Sequence, residues 1–362
     1  MGASPGRIQC SARVARQRPV RLWRAMPSPG DTGQRALDSA LRSFWHPVAW
    51  VDEVGSAPVS SELLGEALVI WRAEDEVVVA IDRCPHRGTK LSLGEVREGA
   101  LVCPYHGWWF GPTGSCERIP QLASDSPIPA RATLELLRSA ERYGIVWTAL
   151  EEPVALVPDF PEWDDPAYVH EALSAYTWQA GAGRMLENFI DLGHRGYLHG
   201  SALDDLAVPG HRVHAEGLTL AYEISMAAPY GDADLSVGDP AADRNVQTNS
   251  YEVTLPFSVH LRCSYEESDK VRTMFFAVQP RSDVESTGYC YQSRNFDLDA
   301  DPESHLDRQE LLVEQDRPIV ESQLPKGLPL GATDELHLGF DRVAVAYRRQ
   351  LRKLLSEMGS TP

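Results

Sequence analysis

Two short segments of this 362-residue chain each set a cysteine just ahead of a histidine: Cys84-Pro85-His86 and Cys103-Pro104-Tyr105-His106, with 16 residues between them. Each follows an apolar β-type run, Val77–Ile81 and Leu101–Val102, so the two pairs are expected at the tips of facing loops. Pro85 and Pro104 stiffen the loops and remove an N–H, while Gly88 and Gly107 let the backbone bend tightly against a bound object. Two thiolates and two imidazoles converging on one point suit tetrahedral zinc, or an iron–sulfur cluster in which two histidines replace two cysteines on one iron. Spacing separates the two. Zinc sites of this composition usually pair like with like, whereas each loop here offers one cysteine and one histidine. A cluster with one cysteine-held and one histidine-held iron requires that mixed pairing. A structural zinc, or cysteines that merely pack in a core, is the competing reading.

Composition narrows the setting. Six cysteines are too sparse for a disulfide framework, and a cytoplasmic home fits best. The formal charge of −18 repels a phosphate backbone, which argues against nucleic acid as a partner. No apolar run approaches the roughly 18 residues of a spanning helix, so no membrane crossing is expected. The first 25 residues carry Arg7, Arg13, Arg16, Arg18, Arg21 and Arg24, no acidic residue and no apolar signal core. Residues 1–40 are read as a disordered or mis-assigned N-terminal extension, with Met26 an alternative start and a transit peptide the other option.

A second constellation lies between Glu187 and His199. On a helix Asn188, Asp191 and His194 are three apart and share one polar face. His199 is five beyond His194, so an unbroken helix would aim it about 140° away, and a break at Gly193 or Gly196 is needed to return it to the same metal. Two neutral imidazoles and one carboxylate make the facial triad of non-haem iron oxygenases. The carboxylate is sought in Pro302–Gln323, where Leu306, Leu311, Leu312, Val313 and Ile319 have helical spacing that Glu314-Gln315-Asp316-Arg317-Pro318 interrupts. Pro318 removes the N–H that would bond to Glu314, so a bend or bulge is expected to turn Asp316 inward. Glu321 is a rival ligand.

Together and in this order, the two constellations resemble the α subunit of the Rieske non-haem iron oxygenases, from about Ser43 to about Leu355. Cys84-Pro-His86-Arg87-Gly88, Cys103-Pro-Tyr-His106-Gly107-Trp108 and the turn Gly111-Pro112-Thr113-Gly114 resemble the Rieske [2Fe–2S] domain. Asn188-x2-Asp191-x2-His194-x4-His199 matches the family's iron-binding pattern, and Val313-Glu-Gln-Asp316-x4-Glu321-Ser-Gln323 looks like the segment that gives the third ligand. Glu141–Trp147, Pro161–Pro166 and the ending Asp341-Arg342…Ala346-Tyr347-Arg348-Arg349 are similar to the monooxygenase and demethylase branch, most of all its saxitoxin-pathway hydroxylases.

The resemblance implies a [2Fe–2S] cluster on Cys84, His86, Cys103 and His106, and a mononuclear Fe(II) on His194, His199 and Asp316. It implies a head-to-tail homotrimer in which Asp191 bridges the neighbour's His106 and its own subunit's His194, with Asn188 supporting the ligand helix. The reaction it implies uses O2 to insert one oxygen atom into a C–H bond of a small organic substrate. Where that carbon bears O or N, the outcome is demethylation. Gly181-Ala182-Gly183-Arg184-Met185-Leu186 lacks the third glycine of a dinucleotide fingerprint, so electrons from NAD(P)H are expected only through a separate ferredoxin and/or flavin reductase. A Rieske electron carrier without oxygen chemistry is the rival, and Asn188, Asp191, His194 and His199 speak against it.

The expected architecture is α+β. An all-β cluster domain over 41–152 has strands near 67–71, 77–81, 99–102 and 144–149, with Trp108 and Trp109 shielding the cluster. The iron domain over 153–362 is an antiparallel sheet with helices packed on it, of helix-grip type by the resemblance. Its strands are expected at 218–226, 247–265, 272–280 and 288–296, and its last helix puts Val343, Tyr347, Leu351, Leu354 and Leu355 on one stripe. No substrate-binding residue is identifiable.

Overall fold

The computed structural model describes residues 39–199, 208, 210–227, 246–266, 268–331 and 334–358; the Arg-rich leader, up to residue 38, lies outside them. The N-terminal part is built of antiparallel strands. Glu66–Ala73 runs between Val59–Leu63 and Glu76–Ile81. A four-stranded sheet follows with Glu95–Arg97, Ala100–Val102, Trp109–Phe110 and Cys116–Arg118, and Ile145–Ala149 lies between His46–Trp50 and Arg138–Arg142. Val69, Trp71, Val78, Leu101 and Phe110 bury themselves in one core that also takes in Cys84 and Cys103.

The C-terminal part is an eight-stranded antiparallel sheet. Its order is Val169–Ala172, Ser286–Arg294, Ser268–Pro280, Ser258–Tyr265, Val246–Thr254, Thr219–Ala227 and Val213–Glu216, with Tyr176–Trp178 also pairing with Ser286–Arg294. The single run expected over 247–265 is a hairpin. Leu255, Pro256 and Phe257 form its turn, where a proline has no ladder hydrogen bond to forfeit.

Among the described residues four helices complete this part: α1 (Ala182–Ile190), α2 (Arg195–Leu198), α3 (Pro302–Ser322) and α4 (Arg342–Met358). α1 buries Met185, Leu186 and Ile190, and α4 buries the expected stripe. α3 corrects the sequence reading, because it runs through Pro318 as one helix. Glu314 and Pro318 are both exposed, so water can take the carbonyl that proline leaves without a donor. Leu311 and Ile319 face outward, and α3 turns Gln309, Leu312, Val313 and Asp316 toward one cavity by helical spacing alone.

Two contacts position the helices and sheets. Arg348 of α4 grips Glu187 of α1 through bonds of 2.6 and 2.5 Å and reaches Glu335 at 2.7 Å, which Arg184 of α1 also holds at 2.7 Å. The N- and C-terminal parts meet over an aromatic seam in which Phe160 stacks on Phe275 at 4.9 Å beside Trp50, Tyr143, Trp147 and Tyr291.

Candidate metal centres

The two Cys/His loops are built alike. Each closes on a glycine four residues after its cysteine, with Gly88 N–H donating to Cys84 O and Gly107 N–H to Cys103 O, both at 2.9 Å. Those glycines have φ of +73° and +67°, a backbone that a side chain would strain. Cys84 and Cys103 are each 2 % exposed, and the half-buried rings of His86 and His106 sit 4.5 Å apart between centroids. Trp108 stacks on His86 at 4.5 Å. Trp109, the other expected shield, instead packs its ring under the Arg118 guanidinium at 5.3 Å.

Burial, reinforced by the neighbouring Cys103 sulfur, pushes the Cys84 thiol up to about 11 against backbone hydrogen bonds from His86 and Arg87. His86 Nδ1 is buried with no hydrogen-bond partner. Adjacent buried sulfurs and an orphaned imidazole nitrogen form a donor set that fits an iron–sulfur core.

His194, His199 and Asp316 do gather, with one donor atom from each lying within 4.8 Å of the others. α1 ends at Ile190 and the chain turns extended at Asp191 (φ −74°, ψ 132°) before α2 begins at Arg195. The break therefore starts ahead of Gly193, and Asn188, Asp191 and His194 do not share one helix face. Asp191 makes the break with its own side chain. Its Oδ1 accepts from Gly193 N–H at 3.1 Å and its Oδ2 from His194 N–H at 3.0 Å, a local turn that competes with the helix.

The same turn orients a ring. Asp191 Oδ2 accepts from His194 Nδ1 at 2.8 Å, and Gln315 Oε1 accepts from His199 Nδ1 at 2.8 Å. Carboxylate and amide oxygens only accept, so each ring donates its Nδ1–H outward and turns its Nε2 inward. Those nitrogens lie 3.7 and 3.4 Å from Asp316 Oδ1, itself buried and without a partner. Two ring nitrogens and a carboxylate oxygen face one another here, an arrangement that a cation between them would bridge. Burial raises the Asp316 carboxyl, and His194, His199 and the Asn188 amide offset only part of that. For Asp191 burial also opposes ionisation, but the hydrogen bonds from His194 and Gly193 outweigh it and hold the carboxyl below its usual range.

Glu321 is not part of this group; its carboxylate accepts from Gln179 N–H at 2.8 Å. Gln315 is the functional residue that the sequence analysis passed over, since only its place beside Asp316 could have flagged it. A narrow cavity of about 100 Å³ opens beside the trio, walled by Tyr176, Trp178, Phe189, Leu261, Met274 and Phe276, with Asn188 and Arg195 among its polar members. Away from it, His170 bonds to Ser293 Oγ and His260 to Glu162, both at 2.8 Å, as structural histidines do.

Residues 44–140 match the Rieske [2Fe-2S] domain, and residues 178–357 match the vanillate O-demethylase oxygenase C-terminal domain. The chain is 32 % identical over 328 residues to methylxanthine N1-demethylase NdmA of Pseudomonas putida, covering 87 % of this chain and 89 % of that protein. It belongs to the Rieske non-haem iron oxygenases. The structure of NdmA with caffeine aligns at a TM-score of 0.77 and 30 % identity, over 89 % of this chain and 93 % of that one. Dicamba monooxygenase bound to 3,6-dichlorosalicylic acid shares the fold, with a TM-score of 0.76 at 22 % identity over 89 % and 99 % of the two chains. As a Rieske oxygenase α subunit, this protein uses a [2Fe–2S] cluster, a mononuclear iron, O2 and electrons supplied by a reductase. Among the described residues no helix is long and apolar enough to cross a membrane.

Proposed function

We propose that this terminal oxygenase hydroxylates a methyl group on nitrogen or oxygen of a small ring substrate, and so demethylates it. Cys84, His86, Cys103 and His106, in a cluster domain over 41–152, hold the [2Fe–2S] group. His194, His199 and Asp316, in a catalytic domain over 153–362, hold the iron. The observation that carries the iron assignment is the convergence of two inward Nε2 atoms on an Asp316 Oδ1 that is buried without a hydrogen bond. The two groups, when bound, supply one-electron transfer and the reductive use of O2.

The chain's own residues do the rest. Asp191 fixes the His194 ring, and its carboxylate stays 29 % exposed, which leaves an edge for His106 of a neighbouring subunit in a head-to-tail homotrimer. Gln315 fixes His199, and Asn188 steadies Asp316. Phe189 and Phe276, stacked at 4.9 Å, form a flat apolar wall that excludes water and aligns a planar ring. In the balanced reaction the methyl carbon gains one oxygen atom of O2 and the other leaves as water, with two electrons and two protons consumed. The hydroxymethyl product then releases formaldehyde. Demethylation is favoured by the near full-length similarity to two methylxanthine N-demethylases. In a second reading the hydroxylated carbon bears no heteroatom and the alcohol persists, as the resemblance read in the sequence to saxitoxin-pathway hydroxylases would imply. A ferredoxin and/or reductase docks near the half-exposed histidine edge of the cluster loops, and buried free cysteines fit a reducing cytoplasm.

The test is O2 uptake and formaldehyde release from N-methyl and O-methyl ring compounds, with a surrogate reductase. Coupled uptake that His194→Ala abolishes is the expected result; uptake indifferent to that change would favour an electron carrier.

A further inference from the structure

Arg195 opens α2 directly after His194, and its side chain lines the cavity. Its Nη1 donates to Tyr251 Oη at 3.1 Å, and no carboxylate pairs with it among the described residues. That sets it apart from Arg184 and Arg348, which hold carboxylates at 2.7 Å or closer. A guanidinium has five N–H donors, and one phenol engages only one of them. A charge kept from water without a counter-ion is costly. Trp178 lines the same cavity, and its buried indole N–H has no acceptor. The protein's net charge of −18 would suit a cationic ligand, yet Arg195 and Trp178 give this cavity N–H donors that an anionic group would take up.

We propose that Arg195 is the specificity residue of this cavity and pairs with a carboxylate on the ring substrate, which Trp178 Nε1–H assists. This rests on the demethylase reading only for the word substrate; the anion site itself stands on geometry.

The test compares ring carboxylates of graded size, such as methoxybenzoates and N-methylated heteroaryl carboxylates, with their matching carboxamides. Binding to the anaerobic holoenzyme is measured by calorimetry. At least one carboxylate is expected to bind about tenfold or more tighter than its amide, the range of a hydrogen-bonded charge. Arg195→Gln should erase that preference by raising the carboxylate's Kd and KM about 10–100-fold, with little change in kcat or in amide binding, and Arg195→Lys should restore part of it. Iron content and cluster absorbance report whether each variant is intact. Because Arg195 adjoins a ligand, Tyr251→Phe serves as a second variant; it removes the one internal hydrogen bond and should leave the carboxylate preference in place. Equal binding of acid and amide, binding of no carboxylate, or an equal loss of both in Arg195→Gln overturns the proposal. A carboxylate preference without formaldehyde release would sink the demethylase reading and leave the anion site standing. Demethylation of neutral compounds by an enzyme that binds and turns over no carboxylate more tightly than its amide would do the reverse.

Discussion

Replacing Gln315 with leucine removes the acceptor that holds the His199 ring. The His199 side chain is 13 % exposed, so its Nδ1–H, now 2.8 Å from Gln315 Oε1, has little water to turn to. An unsatisfied buried donor costs about 1–3 kcal/mol. At about 1.4 kcal/mol per factor of ten, that weakens iron binding roughly 5- to 150-fold. Changes to residues behind metal ligands typically cost about 10–100-fold, in the same range. Gln315→Glu keeps an acceptor at this place and should bind iron within about threefold of wild type or more tightly. Competition with a ferrous chelator under anaerobic conditions reads the affinity, and cluster absorbance confirms an intact fold. Wild-type affinity in Gln315→Leu, within a factor of about two, would refute the orienting role.

Asp191→Ala should nearly abolish turnover while iron content and cluster absorbance survive; near-normal turnover would remove Asp191 from the electron path. Arg348→Met strips Glu187 of its close partner, with Arg184 left at 3.9 Å from it and still holding Glu335, and should cost about 3 kcal/mol in urea unfolding, so a loss under about 1 kcal/mol would contradict a clamp between α4 and α1. His46 is 1 % exposed, and burial lowers its pKa to about 4 despite its hydrogen bond to Leu41 O. Below its unfolded pKa of about 6.5 the unfolded chain binds a proton that the folded one refuses, so this contribution is full above that pH and fades as pH falls toward 4. Wild type should lose about 2 kcal/mol more than His46→Asn between pH 7 and 5; equal losses would disprove the shift.

The cluster loops were legible because their chemistry is local. Cysteine, histidine and a glycine with positive φ all fall within five residues, twice over. The apolar strands announced themselves in the same way, and the α4 stripe by its spacing. What stayed hidden depends on competition or on distance in the chain. The Leu255–Phe257 turn sits inside an unbroken apolar run. The helix end at Asp191 depends on a side chain outcompeting backbone bonds, which periodicity does not register. Gln315 meets His199 across 116 positions, and Arg195 meets Tyr251 across 56, contacts that exist only once α2, α3 and the sheet are assembled. The inward face of Asp316 was foreseen for the wrong reason, since helical phase and not a proline bend turns it.

Metal analysis of wild type and His194→Ala, paired with electron paramagnetic resonance of the reduced proteins, tests the two-centre arrangement most directly. Wild type should hold about three irons per chain and the variant about two, with the low-average-g signal of a histidine-ligated cluster unchanged in both. Zinc in place of iron, or the same iron content in both proteins, would contradict it.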